Sequence, residues 1–167
     1  MATKPKKKMK YPPGSARTDT MELVQENLSP VNCADHARWL RELRLRNHSA
    51  VTEFVRGRGN RGNMEYIVQM HNMTRGMVLM GFGVDLTSII LDSEKVLQAI
   101  AARVRKTGSF TLYANEIAAI NALLELHEAQ LDVATVGDLD RAYQKIKAEF
   151  RGGKRNQLSL TREETPA

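Results

Sequence analysis

The spacing of apolar residues between about residues 35 and 150 is the feature that most constrains the fold. These residues recur at intervals of three and four, which places them on one face of an α-helix. The clearest case lies near 114–133, where the apolar stripe consists of Ile117, Ile120, Leu124, His127 and Leu131. We therefore predict an all-α fold, a compact bundle of five or six helices joined by short loops.

Glycines and capping residues divide this region into segments. We predict a first helix that is capped by Asn32, a bend at 47–49, and a short second helix that ends at Gly57. Three glycines within 57–62 indicate a loop, after which Asn63 can cap the next helix. The remaining helices are predicted near residues 63–80, 86–107, 114–133 and 135–152.

The two ends of the chain differ in composition from the middle. Residues 1–20 are rich in lysine and proline and have almost nothing apolar to bury, so we predict a disordered tail. Residues 21–152 form the predicted helical domain, and residues 153–167 a short, polar, flexible C-terminal tail. The expected location is the cytoplasm, because a single cysteine excludes an intrachain disulfide and neither a membrane span nor a secretory signal is evident.

Charge is distributed unevenly along a chain whose formal net charge is +6. The tail holds a dense cluster of cations that attracts phosphate backbones through counterion release. The same composition also fits a solubilising tail or a nuclear address. The candidate nucleic-acid-binding residues of the tail are Lys4, Lys6, Lys7, Lys8 and Lys10.

A second basic region follows between residues 38 and 61, which contain seven arginines and only two acids. Arginine forks suit phosphate or carboxylate recognition. Trp39 offers a stacking surface for bases, although a lone tryptophan in a small helical domain is more often part of the core. The candidate phosphate-binding residues of this region are Arg38, Arg41, Arg44, Arg56, Arg58 and Arg61.

Acidic residues concentrate in the second half of the chain and suggest a different function. In one interpretation the arginines face these acids, within one chain or across a homodimer. In another, the acids bind a different protein, and the chain is an adaptor or inhibitor. The methionine-rich helix near 63–80 is a further candidate surface, although core filling is the commoner role of methionine. The candidate protein-binding residues are Glu116, Glu125, Glu128 and Asp132.

Catalytic and metal-binding patterns are not evident in the sequence. Cys33 and His36 stand three residues apart, but no second close pair completes the four ligands that zinc prefers. His127 lies on an apolar stripe, where a buried, hydrogen-bonded histidine is the usual outcome. We therefore expect no metal, no cofactor and no enzymatic activity.

Three segments carry a resemblance: Asn72-Met73-Thr74, the stretch from Leu126 to Asp132, and Thr135-Val136-Gly137-Asp138. They resemble small helical proteins of unknown function from proteobacterial phages, plasmids and integrated elements. The resemblance covers about residues 40–150 and implies a bacterial cytoplasm. Our leading hypothesis is a non-enzymatic accessory protein of a mobile genetic element that binds DNA or RNA through phosphate contacts. A structural component of a phage or other particle is a further alternative.

Overall fold

Five α-helices account for most of residues 28–152, which are the residues that the computed structural model describes. Short 3-10 turns at Ala34–His36 and Val84–Leu86 precede the first and third of them. The all-α prediction is confirmed, whereas both predicted tails lie outside the described residues. The helices are α1 (Ala37–Val55), α2 (Arg61–Val78), α3 (Thr87–Thr107), α4 (Ala114–Val133) and α5 (Val136–Arg151).

The central helix is α2, because each of the other four helices packs against it. Met64 and Met77 are fully buried, so these two methionines fill the core as predicted. At Gly76, a Cβ atom would lie 2.9 Å from the carbonyl oxygen of Ala142, so α2 and α5 approach each other closely. The core therefore forms around α2, and the positions of the outer helices depend on it.

Reciprocal capping boxes begin α2 and α5. The predicted pair at α5 is confirmed: Thr135 Oγ1 accepts from Asp138 N at 3.2 Å, and Asp138 Oδ2 accepts from Thr135 N at 2.9 Å. At α2 the N-cap is Asn60 rather than Asn63, so that prediction was wrong. The helix begins earlier because the Asn63 side chain accepts from Asn60 N, which lets Gly62 join the first turn.

The predicted bend at 47–49 is also wrong, because α1 continues through this segment. Asn, His and Ser have modest helix propensity, but tertiary packing overrides it. The Asn47 side chain is buried inside the bundle, and Ala50 and Phe54 continue the buried face of α1. The helix thus stays intact where packing stabilises it.

The chain segment before α1 is hydrogen-bonded to the turn between α4 and α5. Val31 is fully buried, and its N–H donates to the Ala134 carbonyl at 2.8 Å. Asn32 donates through Nδ2 to the Asp132 carbonyl at 2.9 Å, so its side chain does not cap a helix as predicted. The N-cap of α1 is His36, which makes no side-chain capping bond.

Trp39 is not a core residue, which contradicts the preferred sequence expectation. Its side chain is 47% exposed, while Leu40 beside it is buried. Successive residues of a helix point about 100° apart, so burial of Leu40 turns Trp39 toward the surface.

None of the helices in residues 28–152 combines the length and apolarity required to cross a membrane.

A largely buried ion pair joins α3 to the start of α4. Arg103 Nη2 lies 2.6 Å from Glu116 Oε1, and both side chains are less than 15% exposed. Glu116 Oε2 also accepts from Tyr113 N at 2.8 Å, and the Arg103 guanidinium stacks 3.9 Å from the Tyr113 ring centroid. Glu116 therefore caps α4 and neutralises a buried cation.

We predict that Glu116→Ala lowers the free energy of unfolding by about 3 kcal/mol, because it leaves the Arg103 charge buried without its partner. Glu125→Ala, at an exposed position of the same helix, should change it by less than about 0.5 kcal/mol. Urea denaturation followed by circular dichroism measures both. Equal effects of the two substitutions would show that the pair has no structural role.

Candidate functional site

Four of the six candidate arginines of the helical domain are paired with carboxylates. Arg44 contacts two acids of α4, with Nε 2.8 Å from Glu128 Oε2 and Nη2 2.5 Å from Asp132 Oδ1. The expected pairing of the basic first third with the acidic helix thus occurs within the chain at this residue. The other three pairs are local and exposed: Arg38 with Glu42, Arg58 with Glu53, and Arg61 with Glu65.

These local pairs reduce the number of cations that are free to meet a phosphate. The hydrogen bond from Arg58 lowers the pKa of Glu53, so this carboxylate remains ionised beside its partner. Arg41 and Arg56 are exposed and form no ion pair with a carboxylate among residues 28–152. The arginine cluster seen in the sequence is therefore partly neutralised, and the tail lysines lie outside the described residues.

The four candidate acids do not form one surface. Glu116 is buried in the pair with Arg103, so it cannot contact another protein directly. Glu128 and Asp132 are engaged by Arg44, and Glu125 is exposed. An acidic docking surface on α4 would thus depend mainly on Glu125.

A cleft of about 630 Å³ is lined by residues of α1, α2, α4 and α5. Each lining helix contributes residues spaced one turn apart, and the longest row lies on α5. Met70 and Met73 of the methionine-rich helix reach this cleft, whereas Met64 and Met77 fill the core. A volume of this size lies in the range of sites for small organic molecules.

The lining of the cleft contains three cations and no carboxylate. The cations are Arg46 from α1 and Lys147 and Arg151 from α5, and none of them pairs with an acid within residues 28–152. Arg46 lies 4.8 Å above the ring centroid of Tyr66, and Lys147 lies 5.6 Å from that of Tyr143. The cleft is consequently a positive surface that the protein itself does not neutralise.

Two exposed aromatic rings belong to the same lining. Trp39 on α1 is 47% exposed and Tyr143 on α5 is 52% exposed. Exposed aromatic rings beside cations favour planar, negatively charged partners, since bases stack on such rings while cations bind phosphates.

A buried histidine contributes to the lining from α4. His127 Nδ1 lies 3.0 Å from Thr74 Oγ1, and this hydroxyl donates to the Met70 carbonyl at 2.8 Å. Since a hydroxyl has one hydrogen, Thr74 accepts from Nδ1, and Nε2 of the neutral ring is left as an acceptor. Burial, followed by the charges of Arg44 and Arg46, lowers the pKa of His127 to about 4, so the ring is neutral at pH 7.

Asn47 is the second buried polar residue of the lining. Its side chain is only 2% exposed, and Nδ2 has no hydrogen-bond partner among the described residues. An unpaired buried donor costs about 1–3 kcal/mol. The cleft thus combines an unused donor with the free acceptor of His127.

The sequence points to only part of this site. Trp39 and the methionine-rich helix are candidate surfaces there, but Lys147 and Arg151 lie outside the basic run and Asn47 falls in the predicted bend. One available sign was the placement of Tyr143, Lys147 and Arg151 on one face of a helix at four-residue spacing. Within the described part of the chain, no group of three histidine, cysteine or acidic side chains is placed to hold a metal ion.

Comparison of the chain with protein-family models, with curated proteins and with solved structures gave no match.

We predict that His127 makes the protein less stable as the pH falls from about 6.5 to about 4. The unfolded histidine binds its proton near pH 6.5, whereas the folded one does so only near pH 4. The contribution of His127 to the free energy of unfolding is therefore complete above pH 6.5. It decreases by about 3 kcal/mol in total as the pH falls from about 6.5 to about 4.

The measurement is urea unfolding at several pH values in wild type, His127→Gln and His48→Gln, the last of which changes an exposed histidine. The His127→Gln profile should be flatter than the other two across this window. Three superimposable profiles would contradict the assignment.

Proposed function

We propose that this chain is a non-enzymatic protein that binds single-stranded nucleic acid in the cleft between α1 and α5. The observation that supports this most is the composition of the lining, which has three cations without acidic partners and no carboxylate. A strand requires a positive groove that follows its backbone and flat surfaces on which its bases stack. Arg46, Lys147 and Arg151 supply the charge, and Trp39 and Tyr143 supply the rings.

The charge pattern elsewhere supports the same partner. Arg44 and the three locally paired arginines are engaged by carboxylates, so of the six candidate arginines Arg41 and Arg56 are the ones without an acidic partner within residues 28–152, and they add to the cations of the cleft. The lysines between residues 4 and 10 add positive charge that attracts phosphates without sequence preference. The resemblance to proteins of mobile elements supports an accessory role in such an element, and the single cysteine supports a cytoplasmic location.

We predict that the triple variant Arg46→Gln, Lys147→Gln, Arg151→Gln binds a short single strand more weakly and with less salt dependence. Each lost phosphate contact reduces the slope of log K against log salt by about 0.7, which gives about 2 for three contacts. Fluorescence anisotropy of a labelled strand at a series of salt concentrations measures this slope.

The matched control is Arg38→Gln, Arg58→Gln, Arg61→Gln, which removes the same formal charge from residues that are already paired. It should keep most of the wild-type slope, and deletion of residues 1–18 should reduce the slope independently of either set. Equal slopes for the two triple variants would reject the cleft as the binding surface. Absence of binding at low salt would reject the function itself.

We also predict that a bound strand quenches the emission of Trp39, the single tryptophan of the chain. Trp39→Phe should retain much of the affinity, whereas Trp39→Ala should lose about tenfold or more, since stacking on an aromatic ring contributes about 1–3 kcal/mol per base. Leu45→Ala, at an exposed apolar position of the same helix, should have no effect. Unchanged emission on saturation would exclude stacking on Trp39.

A further inference from the structure

Two polar groups in the cleft, the Asn47 amide and Nε2 of His127, differ in chemistry from the cations that would bind a nucleic-acid backbone. Asn47 presents a buried donor without a partner, and His127 presents an acceptor at Nε2. Among the described residues, Thr74 is the hydrogen-bond partner of the His127 ring, and it occupies Nδ1. Neither group carries charge at pH 7, so neither is suited to bind a phosphate by ion pairing.

A donor and an acceptor in one cleft are complementary to a molecule that carries an acceptor beside an N–H donor. This is the amide-like or amidine-like edge that nucleobases present. The exposed rings of Trp39 and Tyr143 lie in the same lining and can cover the face of such a base. The cations Arg46, Lys147 and Arg151 can then hold a phosphate attached to it.

We infer that the cleft recognises one nucleotide unit, whose base pairs through its polar edge with Asn47 and His127 while its phosphate meets the three cations. This inference rests on the proposed function but adds to it a base-recognition site. The nucleotide can come from two sources, a free nucleoside monophosphate or one residue of a strand. The volume of about 630 Å³ accommodates a single nucleotide with room for its sugar.

Asn47 provides the sharpest test, because its Nδ2 makes no hydrogen bond within the described residues that a substitution would remove. Asn47→Leu replaces the amide with an apolar side chain of the same branched outline and removes the cost of the unpaired donor, so stability should be largely kept. The same change removes the donor that the base requires. A substitution that leaves the fold intact and weakens nucleotide binding is unlike the result of a purely structural role.

The experiment titrates full-length protein with the four common nucleoside monophosphates, with the matching nucleosides, with ribose 5-phosphate and with a short strand. Isothermal calorimetry and Trp39 emission are the readouts. We expect at least one nucleotide to bind more tightly than its nucleoside or ribose 5-phosphate. Asn47→Leu should lower the affinity for that nucleotide about tenfold to a hundredfold and leave the affinity for ribose 5-phosphate unchanged.

Asn47→Ala is the second variant, because a bulkier leucine can also exclude a base by its shape, whereas alanine leaves space. The inference requires that Asn47→Leu and Asn47→Ala both bind the nucleotide more weakly than the wild type. Nucleotide binding equal to that of ribose 5-phosphate, or wild-type affinity in either variant, would overturn the inference.

The two arms of the titration separate this inference from the proposed function. If both Asn47 variants bind a strand as the wild type does, the base-recognition site is wrong, but the proposal that the cleft binds a strand stands. If a free nucleotide binds, the Asn47 variants weaken that binding, and no strand binds, the base-recognition site stands and the proposed function is wrong. Failure of both ligands would overturn both.

Discussion

The hydrogen bond between Thr74 on α2 and His127 on α4 links the core of the bundle to its cleft. It lies where two helices pack together, and it gives the buried Nδ1 of His127 a hydrogen-bond partner that this atom would otherwise lack. Because Thr74 already donates to Met70, the bond sets which nitrogen of His127 carries hydrogen. The same contact that stabilises the α2–α4 packing therefore determines the chemistry that the ring presents in the cleft.

The ion pairs divide the charged residues into two groups with different consequences. Arg103 and Glu116 are largely buried and hold α3 to the start of α4. Arg44 joins α1 to α4 through two acids, which removes it from any encounter with phosphate. Three cations without an acidic partner within residues 28–152 lie beside exposed aromatic rings in the cleft, which gives the bundle one face that is suited to an anionic, planar partner.

The helical architecture could be predicted from the sequence because its determinants are local. Apolar spacing placed α4, and the Thr135–Asp138 pair placed the start of α5. The bend at 47–49 was wrong because a buried position of Asn47 depends on neighbours that are distant in sequence. The exposure of Trp39 has the same origin, since composition cannot show which helix face the bundle covers.

The cleft was beyond sequence reasoning for a related reason. Its lining comes from four helices, and only the packing of α1 and α5 on α2 shows that Arg46 and Lys147 share one surface. The arginine run suggested a larger basic patch, but a linear count does not reveal that Arg58 and Arg61 meet carboxylates five and four residues away. The number of arginines in a stretch of sequence therefore does not give the number of unpaired cations on the surface.

Asn47 departs from what stability alone would favour. A buried amide with an unpaired donor is destabilising by about 1–3 kcal/mol, whereas a leucine, which has the same branched outline, would add apolar burial. Trp39 departs in the same way, because nearly half of a large apolar side chain remains in water. Both departures occur in the lining of one cleft, beside cations without acidic partners. Local conflicts with stability are expected to gather at functional sites, and their concentration here is the physical reason to regard the cleft as a binding site.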